Sequence, residues 1–136
     1  MQVTNEVIPN PSAAAAFFAG PDDGPFVMVN LLRFKDQADY GDGTDAQLSG
    51  REAYERYGVE VRKLVEGLGG RVLYSGAVTG LLLGEVEDLW DAVALVEYPS
   101  LASFQDVIRS PEMRTIEHHR MAGLAGQLNI RTTSQR

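Results

Sequence analysis

The stretch PFVMVNLLRF, residues 25–34, decides the fold of this chain. Residues 26–34 are almost wholly apolar and partly β-branched, and the turn-forming segment PDDGP at 21–25 precedes them. An apolar run of this length, bounded by turn residues, is typical of a buried strand. Asn30 is the polar residue in its interior, so an amide is expected inside an otherwise apolar strand.

The segments on either side of this strand carry clear boundary signals. Asn10, Pro11 and Gly20 predict a short helix over 11–19. SGRE at 49–52 matches a capping box, and the apolar stripe behind it predicts an amphipathic helix that Gly69-Gly70 ends. Further strands are predicted at 71–78, 91–98 and 124–132, and further helices begin at 101 and 111. The segment 80–86 either continues the second strand or forms a short hairpin partner.

Without the N-terminal helix, the order of elements is β-α-β-β-α-β, which is the ferredoxin-like pattern of an α+β domain with an antiparallel sheet. We therefore divide the chain into an N-terminal helix and turn at 1–23, a ferredoxin-like domain at 24–132 and a tail at 133–136. No internal linker divides the central domain.

Both faces of the predicted first strand are apolar. Val27, Val29 and Leu31 lie on one face, and the other face carries Met28 and Leu32. A four-stranded sheet with helices on one side leaves its second face to water, where polar residues are expected. The pattern therefore predicts a homodimer in which a second copy covers that face. The alternative is that the N-terminal helix covers it in a monomer.

Composition excludes several classes of function. The 136 residues include no cysteine, which excludes thiol catalysis, thiolate metal sites and disulfides. The net charge is -7 and the arginines are scattered, so nucleic acid is not an expected partner. No apolar run approaches the roughly 20 residues that span a bilayer. The start MQVTNEVIPN lacks the pattern of a signal peptide, and the expected location is cytoplasmic.

Several stretches together resemble one known family. They are PFVMVNLLRF at 25–34, SGREAYERY at 49–57, GGRVLYSG at 69–76, WDAVALVEYPSLASF at 90–104, SPEM at 110–113 and HHRMAGL at 118–124. In this order and spacing they resemble DUF1330 proteins over residues 24–131. The resemblance implies a dimeric α+β barrel, in which two ferredoxin-like sheets pack face to face. That superfamily includes cofactor-free monooxygenases, isomerases, haem-degrading enzymes and proteins without known chemistry, so it implies no single activity.

The resemblance also implies a ligand pocket between the helices and the sheet. Asn30 is a candidate to hold a substrate carbonyl or oxyanion. Trp90 can form a flat wall for an aromatic ligand. Tyr54 and Tyr57, on the sheet-facing side of the first long helix, can donate a proton or a hydrogen bond. Each of these residues has a purely structural interpretation as well, as a satisfied core or interface group.

His118, His119 and Arg120 are consecutive on the last predicted helix. Adjacent helical residues diverge by about 100°, so the two histidines cannot chelate one metal from one face. His119 leans toward the core and is a candidate base, and Arg120 can clamp a carboxylate. The aspartates of loop 35–49 lack the spacing of a calcium loop. We therefore predict no metal and no cofactor.

These residues support a small-molecule-binding protein whose ligand is a small aromatic or acidic compound. If it is catalytic, it is a cofactor-independent oxygenase or isomerase that abstracts a proton. The alternative is a structural or regulatory homodimer without chemistry, in which the same residues satisfy one another.

Overall fold

A computed structural model describes residues 1–134 of the chain. Its elements, in chain order, are α1 (Pro11–Ala19), β1 (Phe26–Phe34), α2 (Gly50–Gly67), β2 (Arg71–Ala77), β3 (Ala92–Tyr98), α3 (Leu101–Arg109), α4 (Pro111–Gly123) and β4 (Leu124–Thr132). The predicted ferredoxin-like α+β order is confirmed, and Ser49 and Glu52 form the predicted capping box at the start of α2.

The strands form one antiparallel sheet in the order β2-β3-β1-β4. β1 lies inside the sheet because β3 and β4 flank it. Asn30 lies opposite Ala94 of β3 and Asn129 of β4. The side-chain amide of Asn30, a candidate site residue from the sequence, therefore lies near the middle of the sheet.

The main core lies between the sheet and the helices. Phe26 and Met28 of β1 point into it and are almost fully buried. Since strand side chains alternate, the even-numbered residues of β1 face the helices and the odd-numbered ones face away. The buried cluster comprises Phe26, Met28, Val65, Tyr98, Leu101, Phe104, Val107 and Met113.

The N-terminal helix α1 packs on the helix side of the sheet. The rings of Phe17 and Phe18 each lie 5.8 Å from that of Phe104, which belongs to the main core. The guanidinium of Arg131 lies 4.6 Å above the Phe26 ring on the same side. The alternative that α1 covers the open face of a monomer is therefore wrong.

The open face of the sheet, which points away from the helices, is apolar. Val29 lies opposite both Leu95 and Ile130 and shares this face with them. Tyr74 of β2 lies beside Leu95 and is 58% exposed. Leu31, Val93 and Leu128 continue the same surface.

Residues 78–91 form an irregular loop between β2 and β3. The predicted strand or hairpin at 80–86 is wrong, since this segment pairs with no strand of the sheet. Gly84 has φ of 96°, a left-handed conformation that interrupts extended backbone. The Val78 N–H donates to the Asp91 carbonyl and closes the loop. The flanking strands accordingly end at Ala77 and begin at Ala92, one residue inside the predicted bounds.

Residues 135 and 136 of the predicted tail lie outside the described residues, and the predicted domain boundaries stay predictions. Within residues 1–134, no helix combines the length and the apolar character needed to cross a membrane.

Candidate functional site

A cavity of about 670 Å³ lies between the helices and the sheet. That volume is within the usual range for small-molecule sites. Its walls come from α2, α3, α4, the three strands β1, β3 and β4, and loop 35–49. Aliphatic and aromatic side chains form most of the lining, and a few polar groups converge among them.

Besides Tyr40, three tyrosines of the helices and the sheet line this cavity. Tyr54 and Tyr57 are one helical turn apart on α2, with their ring centroids 5.4 Å apart, and Tyr98 comes from β3. Burial raises the pKa of each phenol above its ordinary value. The nearby Arg120 partly offsets this rise in the pKa of Tyr54 and Tyr57. All three phenols therefore remain neutral hydrogen-bond donors near pH 7.

The hydroxyls of these tyrosines have little within the protein to bond with. Among the described residues, the Tyr57 hydroxyl has a single, weak contact, at 3.9 Å, with the Met113 sulfur. Within residues 1–134, no group hydrogen-bonds to the hydroxyl of Tyr54 or Tyr98. A hydroxyl that is accessible from the cavity and has no partner in the protein bonds to water, so these groups are available to a polar ligand that displaces that water.

A hydrogen-bonded chain of side chains crosses the floor of the cavity. Arg120 Nη2 donates to Gln127 Oε1 at 2.8 Å, and Gln127 Nε2 donates to Asn30 Oδ1 at 2.7 Å. Asn30 Nδ2 then donates to the Ala94 carbonyl at 3.2 Å. An arginine can only donate and a carbonyl can only accept, so the two ends fix the orientation of both amides. Asn30 is therefore held in place and holds Gln127 in turn.

Arg120 keeps most of its hydrogen-bonding capacity free. Besides the bond to Gln127, its guanidinium has one weak contact within the described part of the chain, with the Met121 sulfur at 3.9 Å. None of the ion pairs within residues 1–134 includes Arg120. The side chain is only partly exposed. A partly buried cation without a carboxylate partner is poised to bind an anion.

The two histidines of α4 have different surroundings. His118 is exposed and lines the cavity, whereas His119 is half-buried beside it, with ring centroids 4.0 Å apart. Nδ1 of His119 lies 2.7 Å from the Tyr40 hydroxyl. Tyr40 lines the cavity, so His119 reaches the cavity through Tyr40.

The loop that carries Tyr40 is held against the end of α4 by backbone hydrogen bonds. Asp39 N–H donates to the Ala122 carbonyl and Lys35 N–H to the Gly123 carbonyl, at 2.9 and 2.8 Å. The Asp39 and Asp42 carboxylates accept from loop N–H groups. Within residues 1–134, no three His, Asp or Glu side chains lie close enough together to hold a metal ion.

Trp90 lies outside the cavity lining but close to a segment that contributes to it. Its Nε1 donates to Asn5 Oδ1 at 2.7 Å. Next to Asn5, the backbone of Glu6 pairs with that of Gln127. Residues 5–9, which we call the N-terminal strap, thus cross the edge of β4 and bring Val7, Ile8 and Pro9 to the cavity.

Of the residues predicted from the sequence, the structure brings Asn30, Tyr54, Tyr57 and Arg120 together around one cavity. It places His119 one contact away, through Tyr40, and Trp90 against the strap. Tyr40, Tyr98 and Gln127 are among the lining residues that were not predicted. Gln127 and Asn129 alternate along β4, and this spacing was the sequence signal for a polar strip on one face.

The family model described as "Domain of unknown function (DUF1330)" matches residues 44–131, which include Tyr54, Tyr57, Arg120 and Gln127. A crystal structure of a protein of unknown function from Rhodopseudomonas palustris is 35% identical, with a TM-score of 0.87, over 98% of this chain and 99% of that chain. The methylated form of that protein gives a TM-score of 0.88 at 35% identity, over 98% of both chains.

A more distant structure supports the fold alone. It is a dabb family protein with a ferredoxin-like fold from Mesorhizobium loti, 12% identical, with a TM-score of 0.51. The match covers 84% of this chain and 100% of that one. No curated protein sequence matches the chain.

Proposed function

The chain belongs to the DUF1330 family of domains of unknown function, and we propose that it is a homodimer that binds a small acidic molecule with an aromatic or apolar body in the cavity between helices and sheet. The observation that carries this proposal is the partly buried Arg120 guanidinium, which has no carboxylate partner within residues 1–134.

Arg120 supplies the anion-binding end of the site. Its remaining N–H groups form a planar fork that matches a carboxylate, and the bond to Gln127 holds that fork in position. Asp39 and Glu117 also line the cavity, but both are exposed, so water screens their repulsion of an anion. The guanidinium is more enclosed, and its attraction for an anion is screened less.

The phenols of Tyr54 and Tyr57 add neutral donors near the same end. Arg120 lowers the pKa of both tyrosines against the larger effect of burial, so its charge lies close to their hydroxyls. A ligand carboxylate bound to Arg120 can therefore accept hydrogen bonds from neutral phenols as well. Such an arrangement favours an anion over a cation or an uncharged group.

The rest of the cavity suits an apolar body. Val61, Phe104, Val107 and Met113 line it, together with Ile8 from the strap. Burying an aromatic ring against such side chains is favourable by about 25 cal/mol for each Å² of apolar surface removed from water. The site is thus polar at one end and apolar at the other.

The homodimer part of the proposal rests on the open face of the sheet. Val29, Leu31 and Leu95 lie near its centre, and Arg71 pairs with Glu97 at its edge. The middle of this face is apolar, and the charges at its edge pair with each other within one copy. Two such faces can therefore pack against each other around a two-fold axis. Because α1 packs on the other side of the sheet, residues 1–134 supply no helix that covers the face.

A matched pair of small molecules tests the ligand class. Phenylacetate and phenylethanol share an aromatic body and differ in the carboxylate. We expect phenylacetate to shift the NMR signals of Arg120 and Tyr54 saturably, and phenylethanol to shift them much less. Equal responses to both compounds would remove the anion from the proposal. No response to either would favour the non-catalytic homodimer.

A further inference from the structure

Tyr40 is held rigidly in the wall of the cavity. It lies on loop 35–49, and the residue before it, Asp39, donates its backbone N–H to the Ala122 carbonyl at 2.9 Å. Ala38, which is buried, donates to the Leu48 carbonyl at the same distance. The phenol therefore lies on fixed backbone against α4, although the sequence of the loop is polar and glycine-bearing.

The hydroxyl of Tyr40 lies between an acceptor and a donor. It is 2.7 Å from His119 Nδ1, and Arg56 Nη1 donates to its oxygen at 3.4 Å. Arg56 cannot accept a hydrogen bond, so the Tyr40 proton points toward His119, whose neutral Nδ1 can accept it. Within residues 1–134, the second lone pair of the Tyr40 oxygen has no donor, and the Tyr40 side chain contributes to the cavity lining.

The surroundings of His119 keep this acceptor neutral. Burial lowers its pKa most, and the charges of His118 on its own helix and Arg56 on α2 lower it further. Asp45 of the loop and Glu60 of α2 act in the opposite direction but do not reverse the shift. Near pH 7 the imidazole is therefore uncharged and free to take a proton.

We propose that Tyr40 and His119 form an acid–base pair that exchanges protons with a carbon acid bound in the cavity, namely a carbonyl compound with an enolisable C–H bond and a carboxylate. This inference rests on the proposed function, because Arg120 must bind the carboxylate. It goes beyond that function by assigning proton-transfer chemistry to Tyr40 and His119, two residues that the proposed binding of an anion does not use.

The proton transfer balances without an oxidant or a further reactant. The C–H bond next to the carbonyl breaks, and its electron pair remains on the substrate as an enolate. The proton goes to the Tyr40 oxygen while the Tyr40 hydroxyl proton passes to His119 Nδ1. The imidazolium and the enolate then carry opposite charges, and return of the proton to the same or to another carbon restores the pair.

Phenylpyruvate is a suitable probe because it combines an aromatic ring, a carboxylate and enolisable benzylic protons. In D₂O, proton NMR follows the loss of the benzylic signal as deuterium enters. We expect the wild-type protein to accelerate this exchange above buffer. Tyr40→Phe should lower the protein-dependent rate about 100-fold, a usual size for acid–base catalysis. Tyr74→Phe, on the open face of the sheet, is the matched control and should exchange like wild type.

His119 acts through Tyr40, so its test is a pH profile. The wild-type exchange rate should fall as the pH drops through the pKa of His119, because the protonated imidazole cannot accept the Tyr40 proton. His119→Gln keeps a hydrogen-bond acceptor but cannot become charged, so it should lower the rate and remove this dependence. Urea unfolding of each variant checks that the fold is retained.

The outcomes separate this inference from the proposed function. Phenylpyruvate that binds by calorimetry but does not exchange faster than in buffer overturns the acid–base pair and leaves the binding site standing. Exchange in Tyr40→Phe at the wild-type rate also overturns it. Absence of any heat of binding overturns the proposed ligand class and, with it, the acid–base pair.

Discussion

Gln127 Nε2 donates to Asn30 Oδ1 at 2.7 Å, and this bond joins the edge strand β4 to the central strand β1 by side chains. The roles of donor and acceptor in this bond are fixed by its neighbours. The oxygen of Gln127 already accepts from Arg120, and the nitrogen of Asn30 already donates to the Ala94 carbonyl. The amide in the middle of the sheet thus supports the Arg120 guanidinium, which lines the cavity.

Replacing Asn30 tests this support. We expect Asn30→Ala to lower the free energy of unfolding by roughly 1–3 kcal/mol, because it leaves the partly buried Gln127 amide without its acceptor. Asn129→Ala is the matched control, since Asn129 lies opposite Asn30 on β4 but is exposed. It should change stability by less than about 0.5 kcal/mol. Urea unfolding measures both, and equal values would show that the Asn30 amide is not a structural support.

Gly126 lies on β4 where the N-terminal strap crosses it. A Cβ added to Gly126 would stand 2.7 Å from Asn5 Cβ, closer than such atoms approach. Gly126→Ala should therefore displace the N-terminal strap and break the bond between Asn5 and Trp90. Trp90 is the one tryptophan in the sequence, so a red shift of the intrinsic fluorescence reports this directly.

Gly58→Ala is the control for the strap, because no atom of residues 1–134 lies within 4 Å of a Cβ at that position on α2. It should leave the emission of Trp90 unchanged and stabilise the helix by about 0.5–1 kcal/mol. If Gly126→Ala also left the emission unchanged, the strap would not be held against β4 as described.

The pKa of His119 gives a prediction for pH dependence. The folded protein lowers this pKa below the ordinary 6.5, chiefly through burial. The unfolded chain therefore takes up the proton first, and the free energy of unfolding should decrease as the pH falls through 6.5 toward the lower folded value. The lowered carboxyl pKa values of Asp42 and Glu52 affect stability only in more acid solution, near and below their ordinary 3.8 and 4.5.

NMR titration checks the cause of this shift. Since the charge of His118 lowers the pKa of His119, His118→Gln should raise it. A pKa of His119 at or above 6.5 in the wild type, or one that His118→Gln leaves unchanged, would contradict the described surroundings.

The apolar open face of the sheet leads us to expect that the protein is a dimer in solution. Light scattering after size exclusion should give twice the 14.8 kDa of one chain. Leu95→Glu places a charge at the centre of the open face and should yield monomers, because burying an unpaired carboxylate there is costly. Val59→Glu, on the exposed surface of α2, should leave the dimer intact. A wild-type monomer would contradict the homodimer.

Much of the fold could be predicted because boundary residues and apolar spacing agree along the chain. Asn10 and Pro11 mark α1, Ser49 and Glu52 mark α2, and the apolar run at 26–34 forms β1 with the predicted bounds. The segment 80–86 could not be predicted, because apolar residues at 81–83 imitate a strand whether or not a neighbouring strand is available to pair with them.

Residues of the candidate site could be predicted only where their type stood out from the neighbouring residues in the same strand or helix. Asn30 is noticeable because it interrupts an apolar strand, and Arg120 because it follows two histidines. Tyr40 was missed because its role depends on contacts with His119 and Arg56, which lie far away in the sequence. Trp90 was expected at the pocket, but its partner Asn5 comes from a segment without helix or strand periodicity.

The most direct test of the central claim is the affinity of the cavity for phenylacetate in Arg120→Met and in its control, Arg109→Met. Methionine keeps much of the apolar stem but removes the charge, and Arg109 is an exposed arginine of α3 that does not line the cavity. A hydrogen bond to a charged group contributes about 1.5–3 kcal/mol, so calorimetry should show Kd rising roughly 10- to 150-fold in Arg120→Met and remaining at the wild-type value in Arg109→Met. Equal affinities in the two variants would contradict the assignment of Arg120 as the anion-binding group.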